Sequence, residues 1–293
     1  MIMMNTNIDN TMAEYTIEYN STNVYTESVM EGIFEFNVSP CHDFTQILVD
    51  TAVRNSLSES IFNYKNLFGF EISRVKANNN FKEFKFSYKA IVQKKKTKLP
   101  FASPLGLKEE LEELYSNEFY IDHHLFLRKS PLACISNANQ KVILPYKKDS
   151  SLFEYLTKLN AYVHKLLSYQ KNATNVNTNA DDALKLKKGV CQDYTHIFIA
   201  MARHNKIPAR YVSGYLNQGK KFLGASFMHA WVEAYIPDLG WVGFDPTNNL
   251  LVDENFIKVS HGADYMDCTP IKGVLRSNGG ENKSSYQVRV AAQ

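Results

Sequence analysis

The sequence has no Cys-x-x-Cys pair, and no apolar run approaches the roughly 20 residues that cross a bilayer. Its four cysteines, Cys41, Cys134, Cys191 and Cys268, are widely separated. That spacing argues against a disulfide framework or a structural zinc site, and reduced thiols fit a cytoplasmic location. Charge of one sign is also lacking: 33 Lys and Arg against 30 Asp and Glu leave a net +3. So small a surplus points to neither nucleic acid nor a membrane surface as partner. The single basic run, Gln93–Lys98, reads as a solvated strand end and linker. The start of the chain carries neither an apolar stretch nor a basic leader, so no secretory signal is expected.

Apolar and aromatic residues are plentiful. Hydrophobic residues make up 44%, with 17 Tyr and 18 Phe, enough for substantial cores in one large or two ordinary globular domains. From Tyr15 to about Val92, β-rich runs alternate with turn residues such as Asn20–Thr22 and Ala77–Asn80. Phe84, Phe86 and Tyr88, or Phe86, Tyr88 and Ala90, share a strand face there. This spacing predicts an antiparallel β-sandwich over residues 1–98. The prolines and glycine of Thr97–Leu107 read as a linker into a second domain, 99–293. There, Leu107–Tyr115 and Ser151–Tyr169 have helical spacing, the latter with Leu152, Tyr155, Leu156, Leu159, Val163, Leu166 and Leu167 in one stripe. Asn177–Gly189 reads as a capped short helix ending in glycine, and the chain closes on a strand-like tail.

The stretch Gly189–Arg210 puts a cysteine at the start of an apolar helix. Tyr194, Ile197, Phe198 and Met201 recur at helical spacing behind Cys191. A helix N-terminus offers unpaired N–H groups and positive potential, which favour a thiolate and can receive an oxyanion. Taken alone, Cys191 reads equally as a small side chain filling a core, the commoner role of a free cysteine.

The pattern of Met228–Ile236 supplies a base. As a strand it places Met228, Ala230, Val232, Ala234 and Ile236 on one face, and His229, Trp231, Glu233 and Tyr235 on the other. Keeping like faces together in a hairpin with Gly240–Asp245 requires an odd loop. Pairing Ala234 with Gly240 predicts a five-residue loop and sets His229 directly opposite Asp245, with Cβ atoms about 4.5–5.5 Å apart. At that spacing a carboxylate can orient an imidazole. Trp231 and Trp241 share this face and are read as substrate contacts or as packing. Asp193 and His196 read as structural, Asp193 as a cap or as a partner of Arg210, and His196 as a backbone hydrogen-bonder. Gly214 reads as a close backbone approach.

Lys187–Asn249, and more weakly His261–Val274, resemble the bacterial transglutaminase-like family, whose members are often described as cysteine proteases. The resemblance implies an α+β fold: a papain-like core, in which a helix carrying the cysteine packs on a sheet carrying His and Asp, preceded by a β-rich domain. It makes Cys191 the nucleophile, His229 the general base and then acid, and Asp245 the orienting carboxylate. Ala263 departs from the family pattern, which has a basic residue there. The implied chemistry is acyl transfer on amide bonds of a protein or peptide, without metal or organic cofactor. Water as acceptor makes a peptidase or isopeptidase, an amine makes a transglutaminase, and an inert cysteine would leave an interaction scaffold. Many aromatics in a strand-rich domain are compatible with a homodimer.

Overall fold

The structure, a computed structural model, describes residues 12–96, 105–217, 223 and 227–293. The chain opens with five antiparallel strands: β1 (Met12–Phe36), β2 (Gln46–Asn55), β3 (Ile61–Lys65), β4 (Glu71–Ala77) and β5 (Phe81–Lys95), in the order β2–β5–β1–β4–β3. The turn between β4 and β5 falls where the sequence predicts it. The one predicted at Asn20–Thr22 does not form, because β1 stays in register with β5 there, Ser21 pairing with Phe86. The chain bends later, at a register shift between Val24 and Val29. That bend turns the second half of β1 over the first. Phe34 then stacks on Phe84 and Phe36 on Phe86, with ring centroids 4.0 and 3.5 Å apart. The expected sandwich is therefore one sheet curled on itself, with aromatics filling the inside. The predicted linker lies mostly in residues 97–104, outside the described residues.

Three helices follow: α1 (Leu107–Leu114), α2 (Asn117–Leu127) and α3 (Leu152–Leu166). Ser151 caps α3, its hydroxyl accepting from the Glu154 N–H at 3.3 Å. The Glu110 side-chain oxygen accepts from the Leu152 N–H at 2.6 Å, satisfying one of the open donors at the helix start. Leu152, Tyr155, Leu156, Leu159 and Val163 bury the predicted stripe. At about 1.5–3 kcal/mol per side chain, that burial is worth on the order of 10 kcal/mol before ordering costs. After β6 (Ser168–Tyr169), Asn179 caps α4 (Ala180–Leu186), which ends at Lys187 in the left-handed region (φ 54°), two residues before the predicted glycine.

The strand β7 (Lys188–Gly189) leads into α5 (Cys191–His204). Next come β8 (Ala209–Leu216), β9 (His229–Ile236), β10 (Gly240–Asp245), β11 (Leu250–Leu251) and β12 (Phe256–Gly262), an antiparallel sheet in the order β11–β10–β9–β8–β12. Ala230, Val232, Ala234 and Ile236 face a core shared with α3 and α5. α5 is not half-buried as an amphipathic helix would be, since every residue from Gln192 to Arg203 is buried. Its polar side chains must therefore find partners inside.

The last two strands, β13 (Ile271–Ser277) and β14 (Asn282–Ala292), leave this half of the chain and pair with the free side of β1, Phe34 with Gly273 and Tyr19 with Val288. The C-terminal tail thus completes the N-terminal sheet to seven strands. Tyr215, Ile257 and Val259 join the aromatic core of that sheet, and the Tyr215 hydroxyl donates to the Val38 carbonyl at 2.6 Å. No helix among the described residues is long and apolar enough to cross a membrane.

Candidate active site

Cys191 is the first residue of α5 and is partly exposed. Val190, just before it, is extended, and the Asp193 carboxylate turns back to accept from the Val190 N–H and the Thr174 hydroxyl, each at 2.7 Å. Asp193 thus caps the helix that carries the cysteine and does not meet Arg210. A Cβ at Gly189 would lie 2.6 Å from Oδ2 of Asp193, so this cap needs glycine there.

His229 opens β9 and Asp245 closes β10. The imidazole Nε2 bonds Oδ2 of Asp245 at 2.8 Å, and both side chains are fully buried. The predicted register is wrong by two residues. Gly240 pairs with Ile236, Val242 with Ala234 and Phe244 with Val232, closing a three-residue loop with positive φ at Asp238 and Gly240. The predicted faces survive, because a shift of two preserves them. His229 and Asp245 are therefore diagonal neighbours on one face, still within side-chain reach. Three more donors hold the carboxylate: the Thr247 and Asn248 N–H groups on Oδ1, at 2.9 and 3.3 Å, and the Asn248 amide on Oδ2, at 2.8 Å.

Burial opposes a charge on the His229 imidazole. The Asp245 carboxylate and its hydrogen bond outweigh burial, with a further contribution from Cys191, and hold His229 up at about 10. Burial likewise opposes ionisation of Asp245, but His229 and the Asn248 bonds hold it below the ordinary carboxylate range. With Nε2 committed to Asp245, Nδ1 is the nitrogen left for Cys191. It is buried and makes no hydrogen bond, while Cys191 still adds to the upward shift of the ring. His229 thus bonds Asp245, and Cys191 acts on the same imidazole.

The tryptophans do not line this site as open walls. Trp231 is 1% exposed and packs edge-on against Phe256, below His229. Trp241 lies near the hairpin turn, paired with Tyr235, with the Arg210 guanidinium 4.0 Å from its ring centroid and Phe126 against its edge. The polar-looking face of β9 is thus covered. Gly214 pairs with His229, and a Cβ there would strike the Ile257 carbonyl and the Trp231 ring. His196 accepts from the Tyr265 N–H at 3.2 Å, the expected backbone bond, and burial first, then Arg203, keeps it neutral down to about 3 despite Asp264. Arg203 donates to the carbonyls of Phe126, Arg128, Ala209 and Ala263, so a buried guanidinium from α5 secures the turn at Ala263. Burial, then Asp43, pushes Cys41 up to about 12, and burial does the same to Cys268.

Sequence reasoning missed several residues at the site. Asn248 also clamps the backbone of Leu223, accepting from its N–H at 3.0 Å and donating to its carbonyl at 3.3 Å. The ring of His164 contacts the Pro246 and Thr247 carbonyls at 3.2 and 3.1 Å, steadying the turn after Asp245. The Asp-Pro-Thr-Asn run is itself a turn signal that could have pointed to both. Burial first raises the hydroxyls of Tyr169, Tyr211, Tyr265 and Tyr286 above their usual value; Cys191 comes next for Tyr169, Tyr211 and Tyr286, and follows Tyr286 for Tyr265.

Residues 139–246, a stretch that includes Cys191, His229 and Asp245, match the family model of the transglutaminase-like superfamily. The chain carries a transglutaminase-like domain. A solved structure described as a "Putative Cysteine Protease from Cytophaga hutchinsonii" superposes with a TM-score of 0.79 at 25% identity, covering 97% of this chain and 91% of that one. An uncharacterized protein of Mycobacterium tuberculosis is 36% identical over 136 residues, 43% of each chain. One of Mycobacterium leprae is 40% identical over 119 residues, 39% of this chain and 41% of that protein. The chain thus spans less than half the length of these curated relatives. The transglutaminase-like domain sits on the α+β frame described above, with α5 laid across the β8–β12 sheet beside the curled N-terminal sheet.

Proposed function

We propose that the protein is a thiol-dependent enzyme that hydrolyses amide bonds of a peptide or protein, as a cysteine protease or isopeptidase. Cys191 is the nucleophile, His229 the general base and acid, and Asp245 the carboxylate that orients it. The observation that supports this best is a buried imidazole bonded through Nε2 to Asp245 at 2.8 Å and raised further by Cys191. The resemblance to the Cytophaga structure over nearly the whole chain adds to it.

His229 takes the thiol proton, and the Cys191 sulfur attacks the amide carbonyl. The Cys191 N–H, at the open start of α5, receives the developing oxyanion. His229 gives its proton to the leaving amine as the C–N bond breaks, leaving a thioester. Water, deprotonated by His229, attacks the thioester, releases the acid and returns the proton to sulfur. Asp245 keeps the Nε2 proton in place throughout, so Nδ1 is free to accept.

The test is the rate of Cys191 alkylation by iodoacetamide against pH, followed by mass spectrometry in wild type and His229→Ala. Fast alkylation at pH 6 that the substitution abolishes is expected. A rate that rises only near the free-thiol pKa of about 8.5, and is the same in both proteins, would overturn the reading. Labelled amine retained on a glutamine donor would replace hydrolysis by amine transfer.

A further inference from the structure

Aromatic side chains from four separated parts of the chain lie around the segment that leads into Cys191. Tyr169 comes from β6, Phe227 from the approach to β9, Tyr265 from the short turn after β12, and Tyr286 from β14. Tyr286 is the sole aromatic in the polar run Asn282–Gln287. It shares a strand face with Val288 and Val290, which pack on the core of the curled sheet, yet Tyr286 itself is 51% exposed. Its own sheet therefore does not need it for packing. Phe227 meets it edge-on at 5.5 Å, and the Lys171 ammonium lies 4.9 Å from the Phe227 centroid. Tyr169 and Phe227 are both only partly buried. Tyr169 pairs with Gly189, two residues before Cys191, and Lys171, two residues after Tyr169, reaches Phe227, so the rings adjoin the start of α5; burial and then Cys191 raise the Tyr286 hydroxyl in keeping with that place.

We propose that Tyr286, Phe227 and Tyr169 form a subsite beside Cys191 for an aromatic or large aliphatic side chain of the amide substrate. The proposal rests on Cys191 being the nucleophile. Half-exposed rings next to a partly exposed thiol gain most when an apolar group covers them, and edge-to-face contacts with a further ring add to that gain. The carboxyl-terminal strand then has two roles: it closes the N-terminal sheet, and it carries a substrate-selecting side chain to the catalytic half.

The probe is a pair of alkylating agents, iodoacetamide and N-benzyl-iodoacetamide, each forming the S–C bond at Cys191 with loss of iodide. Rates at Cys191 are read by peptide mass mapping and normalised to the same reagents on glutathione. The benzyl reagent is expected to react about tenfold faster than iodoacetamide in the wild type, equivalent to about 1.4 kcal/mol. Tyr286→Ala and Phe227→Ala should bring the ratio toward one, and Tyr286→Phe should keep it. Each ratio is taken within one protein, so a general change in thiol reactivity cancels. A wild-type ratio near one, or a ratio that Tyr286→Ala leaves unchanged, overturns the subsite. Slow iodoacetamide reaction throughout overturns the nucleophile instead, while the ratio still decides the subsite.

Discussion

His229 and Asp245 are bonded at 2.8 Å without being paired across the hairpin that carries them. Phe244 pairs with Val232, so Asp245 stands level with Trp231, two residues along β9 from His229. A side chain reaching diagonally is less constrained than one facing its partner directly. The remaining donors from Thr247 and Asn248 supply the missing constraint on the carboxylate.

Asp245→Asn tests that arrangement. The amide that replaces the carboxylate can present N–H to the Nε2 of His229, which then has to accept. The proton moves to Nδ1, facing Cys191, and the imidazole can no longer deprotonate the thiol. The fold should persist, because the backbone N–H groups of Thr247 and Asn248 can still bond a side-chain oxygen. Turnover of a peptide substrate should fall by roughly 10⁴, the size of loss seen when a triad carboxylate is made an amide. A loss below tenfold would mean that Asp245 only holds the turn.

What the sequence made legible follows from period and spacing. The two faces of β9 and β10 are read from alternation, and with them the partnership of His229 with Asp245. The register is not readable that way, because it depends on positive φ at Asp238 and Gly240, which shorten the loop from five residues to three. Nor does alternation reveal that the His229 face is covered, since Trp231 is buried by Val212, Leu216 and Phe256 from other strands. Long-range placements are silent for the same reason. Nothing local to Arg203 announces four carbonyl partners, and nothing local to Tyr286 announces Phe227 as its ring partner.

The N-terminal sheet depends on the other end of the chain. β1 is flanked along its first half by β5 and β14, and along its second half by β4 and β13. A fragment of residues 1–98 would leave that whole edge unpaired and expose Phe34 and Tyr19 beside it. It is expected to aggregate or to lack cooperative unfolding, and mixing in a peptide of residues 271–293 should restore part of the signal. The measurement is thermal unfolding by far-ultraviolet circular dichroism. A sharp transition of the fragment alone would mean that the sheet is an independent domain.

The ion cluster around Glu233 gives the protein a defined weakness to acid. Its Oε2 accepts from Arg210, with Nε at 2.7 Å and Nη2 at 2.6 Å, and from the Lys258 ammonium at 2.6 Å. Burial would raise this carboxyl, but Lys258 and Arg210 overcome it and hold Glu233 at about 2. A carboxyl whose folded value lies below its unfolded value stabilises the protein fully above about pH 4.5, and that contribution drains away as pH falls toward 2. Glu233→Gln leaves two buried cations without their counter-charge, so at pH 7 it should cost about 3–5 kcal/mol. The gap between wild type and variant should then narrow as pH drops, because the wild type loses the same charge by protonation. Urea unfolding of both proteins at pH 7, 4.5 and 3 measures it. A gap as wide at pH 3 as at pH 7 would show that something other than the ionised carboxylate holds Arg210 and Lys258 together.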